Sequence, residues 1–145
     1  MTAEFPQLGE VRDQRSGLRA AMHHLEDSAA APLAGRGDAW RAQLDLGLAE
    51  IRTAWARHVA VTEAPDGLFE QIRTDAPQLS PRIQQLHREH EDVQGALASI
   101  TDDDPPDPEE ARELVIDLVA RLVRHRQHGA DVIYEAYSVD VGGGG

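Results

Sequence analysis

The stretch that decides the fold is LVIDLVARLVRHRQHGADVIYEA, from Leu114 to Ala136. At about 100° per residue, one face of this helix carries an apolar stripe with a histidine inside it. The stripe consists of Leu114, Leu118, Leu122, His125, Gly129, Val132 and Ala136. A buried imidazole needs hydrogen-bond partners, because an unsatisfied polar atom in a core is costly. His125 is therefore a candidate functional residue.

Three further segments repeat apolar residues at three-and-four spacing and predict helices. The first helix is expected over about residues 7–30, where a segment rich in proline and glycine ends it. Asp38 is expected to cap the second helix, and Ser80, which is followed by a proline, the third. Asp107, followed by Pro-Glu-Glu, predicts the start of a fourth helix that ends near Tyr137.

These four amphipathic segments predict an all-α protein, an antiparallel four-helix bundle. We expect one domain over residues 1–141 and a disordered glycine tail at residues 142–145. The connection between the second and third helices contains Leu68, Phe69 and Ile72. These apolar residues predict a short turn that closes one end of the bundle.

The composition narrows the function classes. The chain has 26 acidic and 14 basic residues and a net charge of −12, which argues against nucleic acid or anionic lipid as a partner. It has no cysteine, so any metal must be bound by nitrogen and oxygen ligands. The sequence shows no signal peptide and no membrane-spanning stretch, which favours a cytoplasmic protein. The oligomeric state is left open.

Other histidines occupy positions like that of His125. His58 and His90 lie on the apolar stripes of the second and third helices, and His23 lies at the edge of the first, with His24 as the alternative. His23 and His58 are 35 residues apart, as are His90 and His125. Two matched helix hairpins of this kind would place four imidazoles around one axis, which predicts a metal site. The alternative is a set of core histidines that hydrogen-bond to one another, to a hydroxyl or to water.

With this spacing the chain resembles the hemerythrin-like, or HHE cation-binding, four-helix bundle. That family shows a lone histidine, then His-x-x-x-Glu, then a lone histidine often preceded by Glu, then a second His-x-x-x-Glu. The resemblance covers nearly the whole chain, roughly residues 18–137. The corresponding residues are His23 or His24, His58 with Thr62 and Glu63, Glu89 with His90, and His125 with Gly129.

The resemblance implies a non-haem metal centre with iron as its cofactor and a role in binding or sensing dioxygen, peroxide or nitric oxide. The implied ligands are His23, His58, Glu63, His90 and His125. In the family two glutamates bridge a pair of irons, whereas Thr62 and Gly129 stand at those positions here. We therefore expect an atypical, histidine-rich centre, in which zinc or another divalent metal is an alternative to iron.

Three other functions are open at this point. A bundle without metal would be a ligand-binding or protein-interaction module, an enzyme would use the modified centre for oxidative chemistry, and a haem would sit between two histidines. Two structural predictions test the site. His58, His90 and His125 should meet at one level of the core, and Thr62 and Gly129 should face one cavity.

Overall fold

The described part of the chain is helical apart from its connections. The structure, a computed structural model, describes residues 8–100 and 106–138. Its elements are α1 (Leu8–Ala30), α2 (Gly37–Glu63), α3 (Leu68–Asp75), a 3-10 turn (Pro77–Leu79), α4 (Ser80–Ala98) and α5 (Pro108–Tyr137). None of the described helices has both the length and the apolar character needed to cross a membrane. The all-α prediction is confirmed, and the predicted glycine tail at residues 142–145 lies outside the described residues.

One of the three predicted helix caps is confirmed. The Asp107 side chain accepts a hydrogen bond from the backbone N–H of Glu110 at 3.0 Å, and Pro108 opens α5. The prediction for Asp38 is wrong, because α2 begins one residue earlier and Asp38 lies in its first turn, where its charge favours the helix dipole. The prediction for Ser80 is also wrong: the preceding 3-10 turn runs directly into α4, and Ser80 is already its first residue.

The four long helices pack around a shared core. Helix α1 packs against α2 and α5, and α4 packs against α5. The predicted short turn is the helix α3, which contacts α2, α4 and α5. Its side chains Leu68, Phe69 and Ile72 are buried, so this segment extends the core toward one end of the molecule.

The core has two apolar clusters with a polar layer between them. The larger cluster includes Leu18, Leu25, Trp40, Leu44, Leu48, Ile51, Trp55, Val93 and Leu122. The smaller includes Val11, Phe69, Ile72, Ile83, Leu86, Val132 and Ile133. Buried polar residues separate the members of the two clusters along α1, α4 and α5, and His58 follows the last member of the larger cluster on α2. This polar layer consists of Gln14, Arg15, His58, His90, His125 and Arg126, with the carboxylates of Glu63 and Glu89 at its outer edge.

Candidate metal centre

Three histidines, one each from α2, α4 and α5, meet in the polar layer. His58 and His90 are 4% exposed and His125 is 2% exposed. The Nε2 atom of His58 lies 2.9 Å from that of His125 and 3.2 Å from that of His90. One ligand atom from each residue lies within 4.8 Å of those of the other two. The prediction that these three residues meet at one level of the core is confirmed.

The outward-facing nitrogen of each ring has its own acceptor. In all three rings the Nδ1 atom is hydrogen-bonded to a side-chain oxygen on another helix. The pairs are His58 with Gln14 at 2.9 Å, His90 with Glu63 at 2.9 Å, and His125 with Glu89 at 2.7 Å. These contacts hold each ring in one orientation, with Nε2 directed at the centre of the trio.

The acceptors also determine where the ring protons lie. An ionised carboxylate has no proton to give, so Nδ1 of His90 and of His125 must donate. The amide oxygen of Gln14, which is an acceptor, lies 2.9 Å from Nδ1 of His58, and in this arrangement His58 donates through Nδ1 as well. A neutral imidazole that donates through Nδ1 carries a lone pair on Nε2. Three lone pairs therefore face one another, without a proton of their own between them.

The surroundings keep His58 and His90 neutral. Burial lowers the pKa of His58 well below its ordinary value, and the neighbouring His125 and His90 lower it further. Burial also lowers the pKa of His90 to about 4, although its hydrogen bond to Glu63 opposes the shift. Neutral imidazoles are the form that binds metal ions.

The two carboxylates of the layer remain ionised. Burial acts to raise the pKa of Glu63, but the hydrogen bonds from His90 and His87 outweigh it and the pKa is lowered. The same competition, with His125 and His128 as donors, lowers the pKa of Glu89. Two negative charges therefore flank the histidine trio at neutral pH.

Aromatic side chains from both apolar clusters pack against the histidine rings. The Trp55 ring stacks on His58 at a centroid distance of 5.1 Å and meets His90 and His125 edge-on at 5.2 and 5.6 Å. Phe69, from α3, stacks on His90 at 5.3 Å. Aromatic neighbours of this kind restrict ring rotation, so they preserve the geometry that the outer hydrogen bonds set.

The expectation that His23 or His24 joins the other histidines is wrong. The His23 side chain is 60% exposed and lies beside Glu26, and that of His24 is 64% exposed and bonds to Glu50. Helix α1 turns its apolar stripe inward here, which leaves both rings on the solvent side. At a rise of about 1.5 Å per residue, His23 also lies about 12 Å along the helix from Arg15 in the polar layer.

Glu63 is in the site, but in another role than predicted. Its carboxylate accepts from Nδ1 of His90 and, at 2.7 Å, from Nδ1 of His87, so it faces the outer side of the trio. Glu89 is placed in the same way, between His125 and His128. Both carboxylates therefore support the orientation of the histidine rings and do not share the converging Nε2 face.

Sequence reasoning missed the contribution of α1, which is Gln14 and Arg15. Both are buried, at 2% and 3% exposure, and they lie between the apolar residues Val11 and Leu18. A seven-residue interval on an amphipathic helix contains two core-facing positions, and here both are polar. That interruption of the α1 stripe was the signal that could have identified them.

A small cavity adjoins the trio on the side of α3. Its lining includes Thr62 and Gly129, so the prediction that these residues face one cavity is confirmed. The Thr62 hydroxyl donates to the backbone carbonyl of His58 at 2.8 Å. His58, His125 and Arg15 also line this cavity. At the positions where the resembled family carries bridging carboxylates, a threonine and a glycine thus border a cavity here.

The chain matches no protein-family model, and no curated protein or solved structure is significantly similar to it. The resemblance to the hemerythrin-like bundle therefore rests on the histidine spacing alone and stays a prediction. The function must be inferred from the geometry of the centre.

Proposed function

We propose that this protein binds one divalent transition-metal ion through Nε2 of His58, His90 and His125. The observation that carries the proposal is the set of outer hydrogen bonds, in which Nδ1 of each ring faces a side-chain oxygen and Nε2 faces the other two rings. Three converging lone pairs repel one another unless a cation lies between them. A metal ion satisfies all three at once, whereas a single shared proton satisfies two at most.

The spacing of the three nitrogens supports the same conclusion. Nitrogen ligands about 2.0–2.1 Å from a tetrahedral zinc ion lie about 3.3 Å from one another. The two Nε2 separations around His58, 2.9 and 3.2 Å, are close to this value. Small outward shifts of the rings would therefore complete the coordination.

The local charge favours a divalent ion. Glu63 and Glu89 together contribute two negative charges at the outer edge of the trio. A carboxylate on the far nitrogen of a ligand histidine orients the ring and makes it a better donor. The layer thus offers three imidazole ligands and two nearby negative charges, which oppose the charges of a bound ion and of the buried cations Arg15 and Arg126.

The number and kind of metal follow from the ligand set. A pair of bridged irons needs carboxylates on the Nε2 side, and both carboxylates of the layer face the Nδ1 side. Three imidazoles with one open position are the ligand set of catalytic zinc sites, so we propose a single ion and zinc as the first to test. Iron(II), the ion expected from the resemblance, is the second.

The fold and role implied by the resemblance remain part of the proposal. Short connections between α1 and α2, and between α4 and α5, support an antiparallel, hemerythrin-like arrangement of the four long helices. The cavity beside His58 and His125 supports binding of a small molecule, such as dioxygen, peroxide or nitric oxide, at the open position of the metal. Other divalent metals suit imidazole ligands as well.

Metal titration of the full chain after chelator treatment tests the proposal. We expect one zinc ion per chain by elemental analysis, and a melting temperature that rises with zinc concentration because the ion binds only the folded state. His90→Leu should abolish stoichiometric binding. This variant leaves no buried carboxylate without a partner, since Glu63 keeps its bond to His87 and is 31% exposed. His23→Leu, at the exposed histidine, is the matched control and should bind like the wild type.

Three results would contradict the single-ion site. They are a wild-type chain that stays metal-free in excess zinc and iron, a stoichiometry of two, and equal losses in the His90 and His23 variants. The first would favour a metal-free interaction module, and the second a dinuclear centre.

A further inference from the structure

Arg15 is a buried cation without a carboxylate partner in the described part of the chain. It is 3% exposed, and no Asp or Glu among the described residues forms an ion pair with it. Its Nη2 donates to the backbone carbonyl of Arg126 at 2.9 Å, while its buried Nε has no hydrogen-bond partner. Burial and the nearby Arg126 lower the pKa of Arg15 to about 10, so it stays charged at neutral pH. An unpaired buried charge is costly, and it is typical of a site that awaits an anion.

The guanidinium lines the cavity beside the histidines. The volume of this cavity is about 20 Å³, counted as the space that the centre of a water-sized sphere can occupy. This volume is enough for one small molecule. His58 and His125 line it on the metal side, and Arg15 and Gly129 also contribute to its wall. A Cβ at Gly129 would lie 3.4 Å from Nη1 of Arg15, so the glycine leaves the guanidinium uncovered on this side.

We propose that the cavity binds a small monovalent anion of one to three atoms, held between the Arg15 guanidinium and the open position of the metal ion. The inference rests on the metal site proposed above. In that site Glu63 and Glu89 already compensate a divalent ion, which leaves the positive charge of Arg15 to be matched by the incoming ligand. Arginine N–H groups form strong, charge-assisted bonds to anions, whereas a neutral diatomic molecule gains little from them.

Azide binding to the cobalt-loaded full chain tests this assignment, because visible spectra of Co²⁺ report on its fourth ligand. Arg15→Met removes the charge but fills similar space, and it should raise the Kd for azide about tenfold to a hundredfold. Cobalt should still bind one per chain. Arg15→Lys keeps the charge and should weaken azide less than Arg15→Met does. Arg57→Met removes an exposed arginine next to His58 and is the matched control, with an expected Kd equal to that of the wild type.

Gly129→Ala provides a second test that leaves Arg15 in place. The added methyl narrows the cavity next to Nη1, so azide should be weakened more than the single-atom anion fluoride. The anion site is overturned if cobalt binds but azide does not, or if neither Arg15→Met nor Gly129→Ala changes the azide Kd by more than twofold. Those results would leave the metal site standing. A wild-type chain that binds no cobalt would overturn the metal site, and the anion site with it.

Discussion

The larger apolar cluster and the polar layer occupy neighbouring levels of one core, yet their side chains meet different requirements. Leu44, Leu48 and Ile51 need only fill space, because apolar contacts are non-directional. In the polar layer, the position of each proton matters: Gln14, Glu63 and Glu89 each accept from one particular ring of the histidine trio. Buried polar groups of this kind add little net stability compared with apolar packing. The apolar cluster therefore stabilises the fold, whereas the role that we propose for the polar layer is to bind a metal ion.

Leu48→Ala should have the largest effect on stability. Leu48 is 1% exposed within the larger apolar cluster, and a buried Leu→Ala change costs about 2–5 kcal/mol through lost burial and a residual cavity. Chemical denaturation of the zinc-free variant measures this loss. The number of zinc ions bound per folded chain should stay at one, because Leu48 belongs to the larger apolar cluster and not to the polar layer.

His90→Leu should show the opposite behaviour. In zinc-free protein at pH 7.5 the free energy of unfolding should change by less than about 1 kcal/mol, because an apolar side chain replaces a neutral ring and Glu63 keeps His87. The zinc site should be lost. If Leu48→Ala lost zinc while remaining folded, or if His90→Leu were the more destabilising change, the division between the two regions would fail.

Acid should destabilise the protein through the polar layer, but by less than the upper range expected for Leu48→Ala. The pKa of His90 is about 4 in the folded protein and about 6.5 in the unfolded chain, so between these values the unfolded chain binds the extra proton. His90 therefore costs no stability above pH 6.5, and the free energy of unfolding decreases as the pH falls from 6.5 toward 4. At pH 5 the loss from His90 alone is on the order of 2 kcal/mol. His58, whose pKa is also lowered, acts in the same direction.

Denaturation of zinc-free protein at pH 7.5 and pH 5 measures this decrease in the free energy of unfolding. His90→Leu is the control, and it should lose about 2 kcal/mol less than the wild type over that interval. An equal loss in both proteins would show that His90 is already protonated near pH 6.5 in the folded state. Such a result would contradict a neutral His90 ring in the folded protein, and the contrast between the apolar cluster and the polar layer depends on that ring.

Helical periodicity was sufficient to predict the apolar parts of the fold. The stripe of α5 and the buried positions of His58, His90 and His125 follow from spacing alone, because burial of one helix face is set locally. The caps at Asp38 and Ser80 were not predictable in the same way. They depend on the conformation of the preceding residues, and for Ser80 the 3-10 turn before it had no sequence signal of its own.

The outer half of the site was harder to predict, because it depends on which helices are neighbours. His23 was predicted to join the trio from its helical phase and its 35-residue spacing to His58. However, the position of a residue along the axis of α1 decides whether it reaches the polar layer. Gln14 and Arg15 reach it instead. Likewise, the helical phase of Glu63 could not show that its carboxylate contacts His90 on another helix, because this contact joins residues 27 positions apart.

Glu89→Gln should have the smallest effect and is the sharpest test of what the outer carboxylates do. The change keeps an oxygen that can accept from His125 but removes the charge, and loss of an outer partner typically weakens metal binding by 10- to 100-fold. Because the acceptor is kept, we expect the lower end, about tenfold in the zinc Kd, or about 1.4 kcal/mol. Glu50→Gln is the matched control: Glu50 also accepts from a histidine, His24, at 2.8 Å, but on the surface. Isothermal titration of both variants should show a tenfold weakening for Glu89→Gln and none for Glu50→Gln. Equal affinities in the two variants would mean that the carboxylate charge at His125 does not act on a bound ion, and the polar layer would then differ from the apolar clusters in structure but not in function.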